Sequence, residues 1–439
     1  MLKSEPVIHV GVIEGYPEVG GVLLEDYRGA GGKAVQGQFV ARVEGGNLVV
    51  RDERSKEIAK GPEVILEPAA ESGFTLRDVT IGVKFHWERK EEQRFEGGLR
   101  LVAGADSTVT AINVIGLESY LESVISSEMS AESPPELLKA HAITSRSWLA
   151  AMLDRERAAR KPGVPARRSR ETADEIVRWY DREDHAMFDV CADDHCQRYQ
   201  GVTKIISDGA KAAVRDTRGV FLVYEDQVCD ARFYKSCGGL TEDFENAWED
   251  HRIPYLTSVS DADRPFPPLR TEQDAAAWIA AEPEAFCNTH DPAVIRQILP
   301  SFDQETVDFF RWTVKYGEAQ LSELVKQKSG IDFGSIRELV PLQRGPSGRI
   351  VRLKIVGEKR TLVVGKELEI RRWLSKSHLY SSAFTVERKG KEFVLHGAGW
   401  GHGVGLCQIG AAMMATKGKK AEQIVKHYFP GAELRELYS

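Results

Sequence analysis

Over the first hundred residues, apolar and polar positions fall into short runs heavy in Val, Ile, Phe and Thr and broken by glycine. VIHVGVIEG, GQFVARVEGGNLVVRD, TLRDVTIGVKFHWER and FEGGLRLVAG are the clearest of them. Runs of this length and composition predict strands, and STVTAINVIG carries the strand-rich stretch to about Gly116. The period then changes. Leu117, Tyr120, Leu121, Val124 and Ile125 recur at helical spacing and predict a helix to about Ser127. A second helix opens at Ser133-Pro134-Pro135-Glu136, a capping box with proline at the first helical position, and runs through ELLKAHAITSRSWLAAML. Residues 153–185 are charged and Arg-rich, with Lys161-Pro162-Gly163 as a loop signal, and predict a surface insertion. Strands return at 200–235, residues 265–330 read as a mainly helical insertion, and SGRIVRLKIVG and KRTLVVG resume the strands. Strand blocks and helix pairs without regular βαβ spacing predict an α+β fold. On this reading residues 1–94 form a β-rich N-terminal region. Residues 95–439 form a mixed α/β region with insertions around a groove.

With 439 residues, 42% hydrophobic and 28% charged, the chain has material for two or three domains with real cores. The net charge of −7 argues against a general nucleic-acid binder. No apolar run is long enough for a transmembrane helix. MLKSEPVIHVGVIEG lacks a signal-peptide core and a small-residue cleavage site, which fits either a cytoplasmic protein or one that has lost a leader.

Four places could carry chemistry. In LESYLESVISSEMS the next position on the apolar stripe is Glu128, whereas Glu118 and Glu122 read as solvated. A partly desolvated carboxylate has a raised pKa and can hold a proton near neutrality, as a general acid must; the bland alternative is a helix end turned to water. Near the C-terminus, His396 to Gly410 carries glycines at 397, 399, 401, 403 and 405. Such density implies a tight backbone path or close approach to a ligand. His402 and Gln408 are polar groups a ligand could meet there, Trp400 could stack on a sugar face, and the alternative is a turn that packs strands with His402 satisfied in the core. No Gly-Lys-Ser/Thr ending or dinucleotide spacing supports a nucleotide site. The third place is His185, Cys191, His195 and Cys196: two imidazoles and two thiols within twelve residues match zinc's preferred ligands. A Cys191–Cys196 disulfide and free thiols are the alternatives, and the adjacency of His195 and Cys196 strains a four-fold site. Cys287 and Cys407 read as ordinary semi-buried thiols. The fourth is Phe233 to Gly239, where Ser236 lacks a nucleophile-elbow fingerprint and suits a hydrogen-bonding role.

Taken together, Leu117-Glu118-Ser119-Tyr120-Leu121, Ser127-Glu128-Met129, Leu138 through Arg146, Cys196-Gln197-Arg198-Tyr199-Gln200-Gly201, Ser236-Cys237-Gly238-Gly239, Pro254-Tyr255-Leu256, Gly399 to Ala411 and His427-Tyr428-Phe429-Pro430-Gly431 resemble the SpoIID/LytB family, the stage II sporulation protein D and amidase-enhancer group. The motifs stand in the family's order from about residue 95 to the end. Two positions depart from the pattern: His141 stands where Gln is usual, and Cys237 where Ser or Thr is commoner. The resemblance implies an extracytoplasmic lytic transglycosylase acting on peptide-stripped peptidoglycan strands, with Glu128 as the catalytic acid and Arg146 as the helix arginine. It also implies a structural zinc on His185, Cys191, His195 and Cys196, as in zinc-binding members, and no organic cofactor. Gln197, Tyr199, Ser236, Trp400, His402 and Gln408 are then candidates for contacts to the sugar chain.

A single carboxylate suffices for that reaction. A hydrolytic glycosidase usually needs two. In a transglycosylase Glu128 would protonate the glycosidic oxygen, and the sugar's own 6-hydroxyl would attack, leaving a 1,6-anhydro end. The intramolecular nucleophile can contribute ~7 kcal/mol or more. A close arginine would lower the acid's pKa, so Arg146 is expected to meet a second partner or the substrate. Two other readings are a non-catalytic glycan-binding enhancer of a cell-wall amidase, and a zinc hydrolase centred on the His/Cys cluster.

Overall fold

The computed structural model describes residues 3–29, 32, 34–70, 72–82, 88–104, 106–130, 132–159, 169–179, 185–193, 195–205, 208–299 and 308–439. The fold is α+β with a β-rich N-terminal part, as the pattern predicts. The chain forms two compact units that interleave in sequence: residues 1–133, 184–220 and 436–439 make the first, and 134–183 and 221–435 the second. No helix among the described residues is long and apolar enough to cross a membrane.

The first unit begins with β1 (Val7–Tyr16), β2 (Glu18–Arg28), β3 (Ala34–Glu44), β4 (Asn47–Asp52), β5 (Glu57–Gly61), β6 (Glu63–Pro68), β7 (Gly73–Ile81), β8 (Arg89–Glu96), β9 (Gly98–Ala103) and β10 (Val109–Gly116). The sheet runs Val190–Cys191, β1, β10, β9, β6, β2, β3, β4, β5, with β7 on β2 and β8 on β7. Strand β2 pairs β7 through Gly21–Leu23 and β6 through Tyr27–Arg28, with a register shift between Leu23 and Tyr27. One strand thereby serves two stretches of sheet, as a bulged strand can. Because β10 pairs β1 and β9, the strands on either side of residue 95 share one sheet. Helix α1 (Leu117–Glu128) follows β10 directly. A ladder of rings fills the core, with Phe74 on Phe95 at 5.4 Å, Phe95 on Tyr199 at 6.0 Å and Tyr120 on Tyr199 at 5.1 Å.

The second unit opens with α2 (Pro135–Ala159). Two sheets face its main core: strands 169–171, 175–178, 361–365, 350–357 and 336–344 in that order, and strands 311–317, 392–398 and 384–389. Trp373, Leu353, Ile355, Val364, Phe384 and Leu395 are sealed within this core. The fold differs from the sequence expectation in two places. Of the charged stretch 153–185, residues 160–168 and 180–184 lie outside the described residues. Glu175–Arg178, however, is a strand paired in parallel with Thr361–Gly365, because Ile176 and Val177 supply a buried pair amid the charges. The helical insertion holds Glu272–Ala280, Pro292–Ile298 and Glu318–Ser329, but Arg311–Gly317 is a strand. Its alternation buries Trp312 and Tyr316 on one face.

Candidate functional site

In the first unit α1 is buried nearly all round. Only Ser119 is exposed, and Glu122 is half-buried. Glu118 is therefore not solvated: it is buried, and its Oε1 accepts from the Tyr438 hydroxyl and from Gly219 N. Burial also pushes the Glu122 carboxyl upward. Glu128 ends the helix and is 9% exposed, and its Oε1 accepts from Arg198 N at 3.0 Å. The neighbouring residues are pinned too. Gln197 Oε1 accepts from the Tyr120 hydroxyl at 3.3 Å, and Gln200 N donates to Ser123 Oγ at 3.1 Å. Tyr199 is buried, stacked on Tyr120 and Phe95, and its hydroxyl donates to Asn113 Oδ1 at 2.5 Å. That geometry favours packing for Tyr199 and Gln197 over contact with a sugar.

Immediately before this strip lie the predicted ligands. His185, Cys191, His195 and Cys196 bring one donor atom each to within 4.8 Å of all the others. His185 Nε2 is 3.4 Å from Cys196 Sγ, and His195 Nδ1 is 3.5 Å from Cys196 Sγ and 3.8 Å from Cys191 Sγ. Tetrahedral zinc, with Zn–S of ~2.3 Å and Zn–N of ~2.0 Å, sets sulfur and nitrogen about 3.6 Å apart. The four donors fit that ion. The adjacency of His195 and Cys196 is accommodated by a turn in which Cys196 N donates to Asp193 O. No disulfide joins Cys191 and Cys196, and contact with Cys196, then with His185 and His195, pulls the Cys191 thiol well down toward thiolate.

The other expected site residues belong to the second unit. Arg146 lies on α2 and is fully enclosed, which favours an internal partner over a polymer. The glycine-rich segment leaves strand Glu392–Ala398 and returns at Leu406–Cys407, which pairs in parallel with Phe233–Tyr234. Ser236 and Trp400 bridge the two segments through reciprocal backbone hydrogen bonds of 3.0 and 2.7 Å. Ser236 Oγ is buried and meets no hydrogen-bond partner among the described residues. The Trp400 ring, half-buried, packs on Tyr380 and Phe309.

The close approach that demands glycine is to the chain itself. Gly405 has φ +84°, and a Cβ there would sit 2.2 Å from the Arg232 carbonyl oxygen; at Gly399, φ +73°, it would meet the Cys237 carbonyl at 2.8 Å. His402 is satisfied internally, with Nε2 donating to Phe233 O and Nδ1 accepting from Val404 N, both at 3.1 Å. Burial, then the charges of Arg232, Arg371 and Arg349, hold its pKa well below the ordinary imidazole value. Gln408 Nε2 donates to His141 Nε2 at 3.0 Å, and His141 in turn meets Ser145 Oγ at 3.3 Å. Burial lowers His141 to about 3, so it is neutral here. Both side chains serve the interior of this unit.

Two groups went unread in the sequence. Glu242 is buried and locks three segments: its carboxylate accepts from Asp243 N, Asn246 Nδ2, Ser347 N and Ser347 Oγ, while its own N donates to Gly403 O. Burial, opposed by these bonds, raises it to about 6. Cys287 and Cys407 are not isolated semi-buried thiols: both are buried beside Cys237 and Asp261. Neither group has a local motif.

The structure thus defines an α+β protein whose first unit ties a buried glutamate to a strip of chain that follows a His/Cys cluster. Residues 105–224, which hold both features, match the family model described as "Stage II sporulation protein", so this stretch belongs to the SpoIID family, in agreement with the resemblance in the motifs. Residues 242–405 match a second model, a domain of unknown function (DUF8618). Stage II sporulation protein D of Bacillus amyloliquefaciens is 28% identical over 87% of this chain and 89% of its own length. Its counterpart in Bacillus subtilis is 26% identical over 74% and 76%. The amidase enhancer of Bacillus subtilis is 25% identical over 51% of this chain and 32% of its own length. The chain is thus similar over most of its length to stage II sporulation protein D, and over about half of it to an amidase enhancer.

Proposed function

We propose that this chain is an extracytoplasmic lytic transglycosylase that cleaves peptide-stripped peptidoglycan strands, with Glu128 as acid and then base. The observation that carries the reading is the buried carboxylate of Glu128, oriented by the Arg198 N–H at 3.0 Å in the stretch that matches the sporulation family. An Oε1 that accepts this bond leaves the transferable proton to Oε2. That oxygen protonates the leaving glycosidic oxygen, and the carboxylate then takes the proton of the 6-hydroxyl as it closes the anhydro ring. The 6-hydroxyl oxygen takes the place of a water nucleophile, so no second carboxylate is required.

His185, Cys191, His195 and Cys196 would hold a structural zinc. When bound, such an ion supplies folding free energy and fixes its ligands. Four protein donors complete a tetrahedron, and a catalytic zinc keeps an open position, so the donor set favours this role over a zinc hydrolase. The chain's own residues do the rest: Cys196 begins the strip whose Arg198 N–H holds the acid.

The match to an amidase enhancer favours a second reading, in which the chain binds glycan and assists a cell-wall amidase. One experiment separates the two. Purified protein and Glu128→Gln are incubated with denuded glycan strands, and products are read by mass spectrometry. Anhydro-muramic ends from the parent chain alone support the enzyme. An active Glu128→Gln refutes the role of Glu128. Glycan capture without turnover, equal in both proteins, supports the enhancer.

A further inference from the structure

In the second unit, Cys237, Asp261, Cys287 and Cys407 present three sulfurs and a carboxylate oxygen within 4.8 Å of one another, all fully buried. They come from four separate segments. Cys237 sits in the Ser-Cys-Gly-Gly turn, and Cys407 caps the helix Gln408–Thr416 at the end of the glycine-rich segment. Cys237 Sγ and Cys287 Sγ lie 3.4 Å apart. That is far beyond a disulfide bond of ~2.05 Å and near the ~3.8 Å edge of a zinc–thiolate tetrahedron.

Backbone N–H groups are directed at two of the three sulfurs. Cys237 N and Gly410 N donate to Cys407 Sγ at 3.3 and 3.4 Å, and Gly239 N donates to Cys237 Sγ at 3.3 Å. N–H donors directed at sulfur favour the anion. Asp261 is oriented on both oxygens: the Tyr428 hydroxyl donates to Oδ1 at 2.5 Å and Cys287 N to Oδ2 at 2.7 Å. Outer partners of this kind orient ligating carboxylates at metal sites. Gly410 is shaped to the carboxylate, since a Cβ there would lie 2.2 Å from Asp261 Oδ1. Two guanidinium groups flank the cluster through carbonyls, Arg349 to Cys237 O at 3.3 Å and Arg311 to Gly238 O at 3.1 Å. Ionising four buried acids together is costly without a cation beside them. A divalent ion lets the sulfurs ionise and uses every one of these donors.

We propose that Cys237, Asp261, Cys287 and Cys407 form a second, structural metal site, specific for a thiophilic divalent cation of the zinc type, that staples the Ser-Cys-Gly-Gly turn to the glycine-rich segment. A donor set of three sulfurs and one oxygen suits zinc over magnesium or calcium, which take oxygen ligands in larger number.

The test measures metal in the full-length protein grown with zinc and desalted, beside a Cys191→Ser/Cys196→Ser variant that lacks the other cluster. That variant, folded by circular dichroism, should retain about one equivalent of zinc; a folded variant without zinc overturns the proposal. Adding Cys287→Ser, or Asp261→Asn, should remove the retained ion, and unchanged zinc overturns the assignment. Cobalt exchanged into the double variant should give thiolate-to-metal charge transfer from three sulfurs. A spectrum with no such band refutes the site, as does an intact mass two hydrogens light that maps a Cys237–Cys287 disulfide. If the double variant does not fold, Cys287→Ser alone decides. A loss of about one equivalent against the parent chain supports the site, and equal content overturns it. The difference between parent and double variant reports the His/Cys cluster separately, so failure of one site is not failure of the other.

Discussion

Two glycines of the second unit share one backbone conformation and differ only in the space beside them. Gly405 has φ +84° and Gly418 φ +85°; a Cβ on Gly405 would stand 2.2 Å from the Arg232 carbonyl oxygen, while one on Gly418 meets nothing within 4 Å. An L-residue in the left-handed region costs roughly 1–2 kcal/mol, and the loss of chain entropy in the unfolded state returns about 0.4–1 kcal/mol. Gly418→Ala should therefore destabilise by about 1 kcal/mol. Gly405→Ala carries the same terms plus a clash. The Arg232 carbonyl would have to retreat by more than an ångström to restore ordinary contact, and it already accepts from Leu406 N at 2.9 Å. Forced overpacking adds about 1–3 kcal/mol, so Gly405→Ala should lose roughly 2–4 kcal/mol. Urea titration followed by circular dichroism gives both values, provided the slope is unchanged. Equal losses in the two variants would refute the claim that this segment is glycine-rich because the chain packs against itself.

Three further outcomes follow from buried polar groups. His141 is held neutral, with its pKa down at about 3. The unfolded chain takes up its proton near pH 6.5 and the native chain does not, so stability is lost as pH falls from about 6.5 toward 3, at ~1.4 kcal/mol per pH unit for this group. His141→Gln should flatten that slope in acid titrations of the melting temperature, and an unchanged slope would contradict a neutral His141. Glu242, raised to about 6, acts with the opposite sign. Its effect is absent below the unfolded value of about 4.5 and costs up to ~2 kcal/mol as pH rises through 6, so Glu242→Gln should abolish this component while losing a bond at Ser347. Tyr199→Phe removes the hydroxyl given to Asn113 Oδ1 and should cost about 1–3 kcal/mol in denaturant melts; a glycan-affinity loss without a stability loss would restore Tyr199 as a sugar contact.

What the sequence could disclose was local. The strands of the first hundred residues follow from period-two runs and from glycine turns such as Gly45-Gly46, which lies in the hairpin of β3 and β4. Helix α1 and its terminal Glu128 follow from spacing alone. Glu118 was misread because its cover comes from Tyr438 and Gly219, hundreds of residues or about a hundred residues away, and a helix buried all round erases the rule that off-stripe means solvated. The strand Arg311–Gly317 was hidden by the helices on either side, though its alternation is regular. Glycine density at 397–405 was legible, but its cause was not: the contacted carbonyls belong to Arg232 and Cys237. The His/Cys cluster could be read because its ligands lie within twelve residues. The cysteines at 237, 287 and 407 share no such spacing, so only the fold gathers them.

The acid and the His/Cys cluster are joined by two residues of chain, and this sets a test of what a bound ion would do. Glu128 is oriented by a backbone N–H from a strip outside helix and strand, held in part by Gln197, Tyr199, Gln200 and the turn at Cys196. Removal of a bound ion would loosen the hold on Cys196, while the bonds of Tyr199 and Gln200 stay. Chelation should then lower the melting temperature without erasing the far-ultraviolet spectrum of the sheet. It should also cut turnover of glycan strands disproportionately, since misplacing a reacting group by about 1 Å can cost ~10²-fold. Reloading with zinc, cadmium or cobalt distinguishes the roles. A structural ion only has to hold four ligands, so all three should restore the same rate. An ion that activates water would change the rate with its identity, because the acidity of its bound water changes. Full activity after complete metal removal would break the proposed link between the cluster and Glu128, and a rate that tracks the metal would move the chemistry from the carboxylate to the ion.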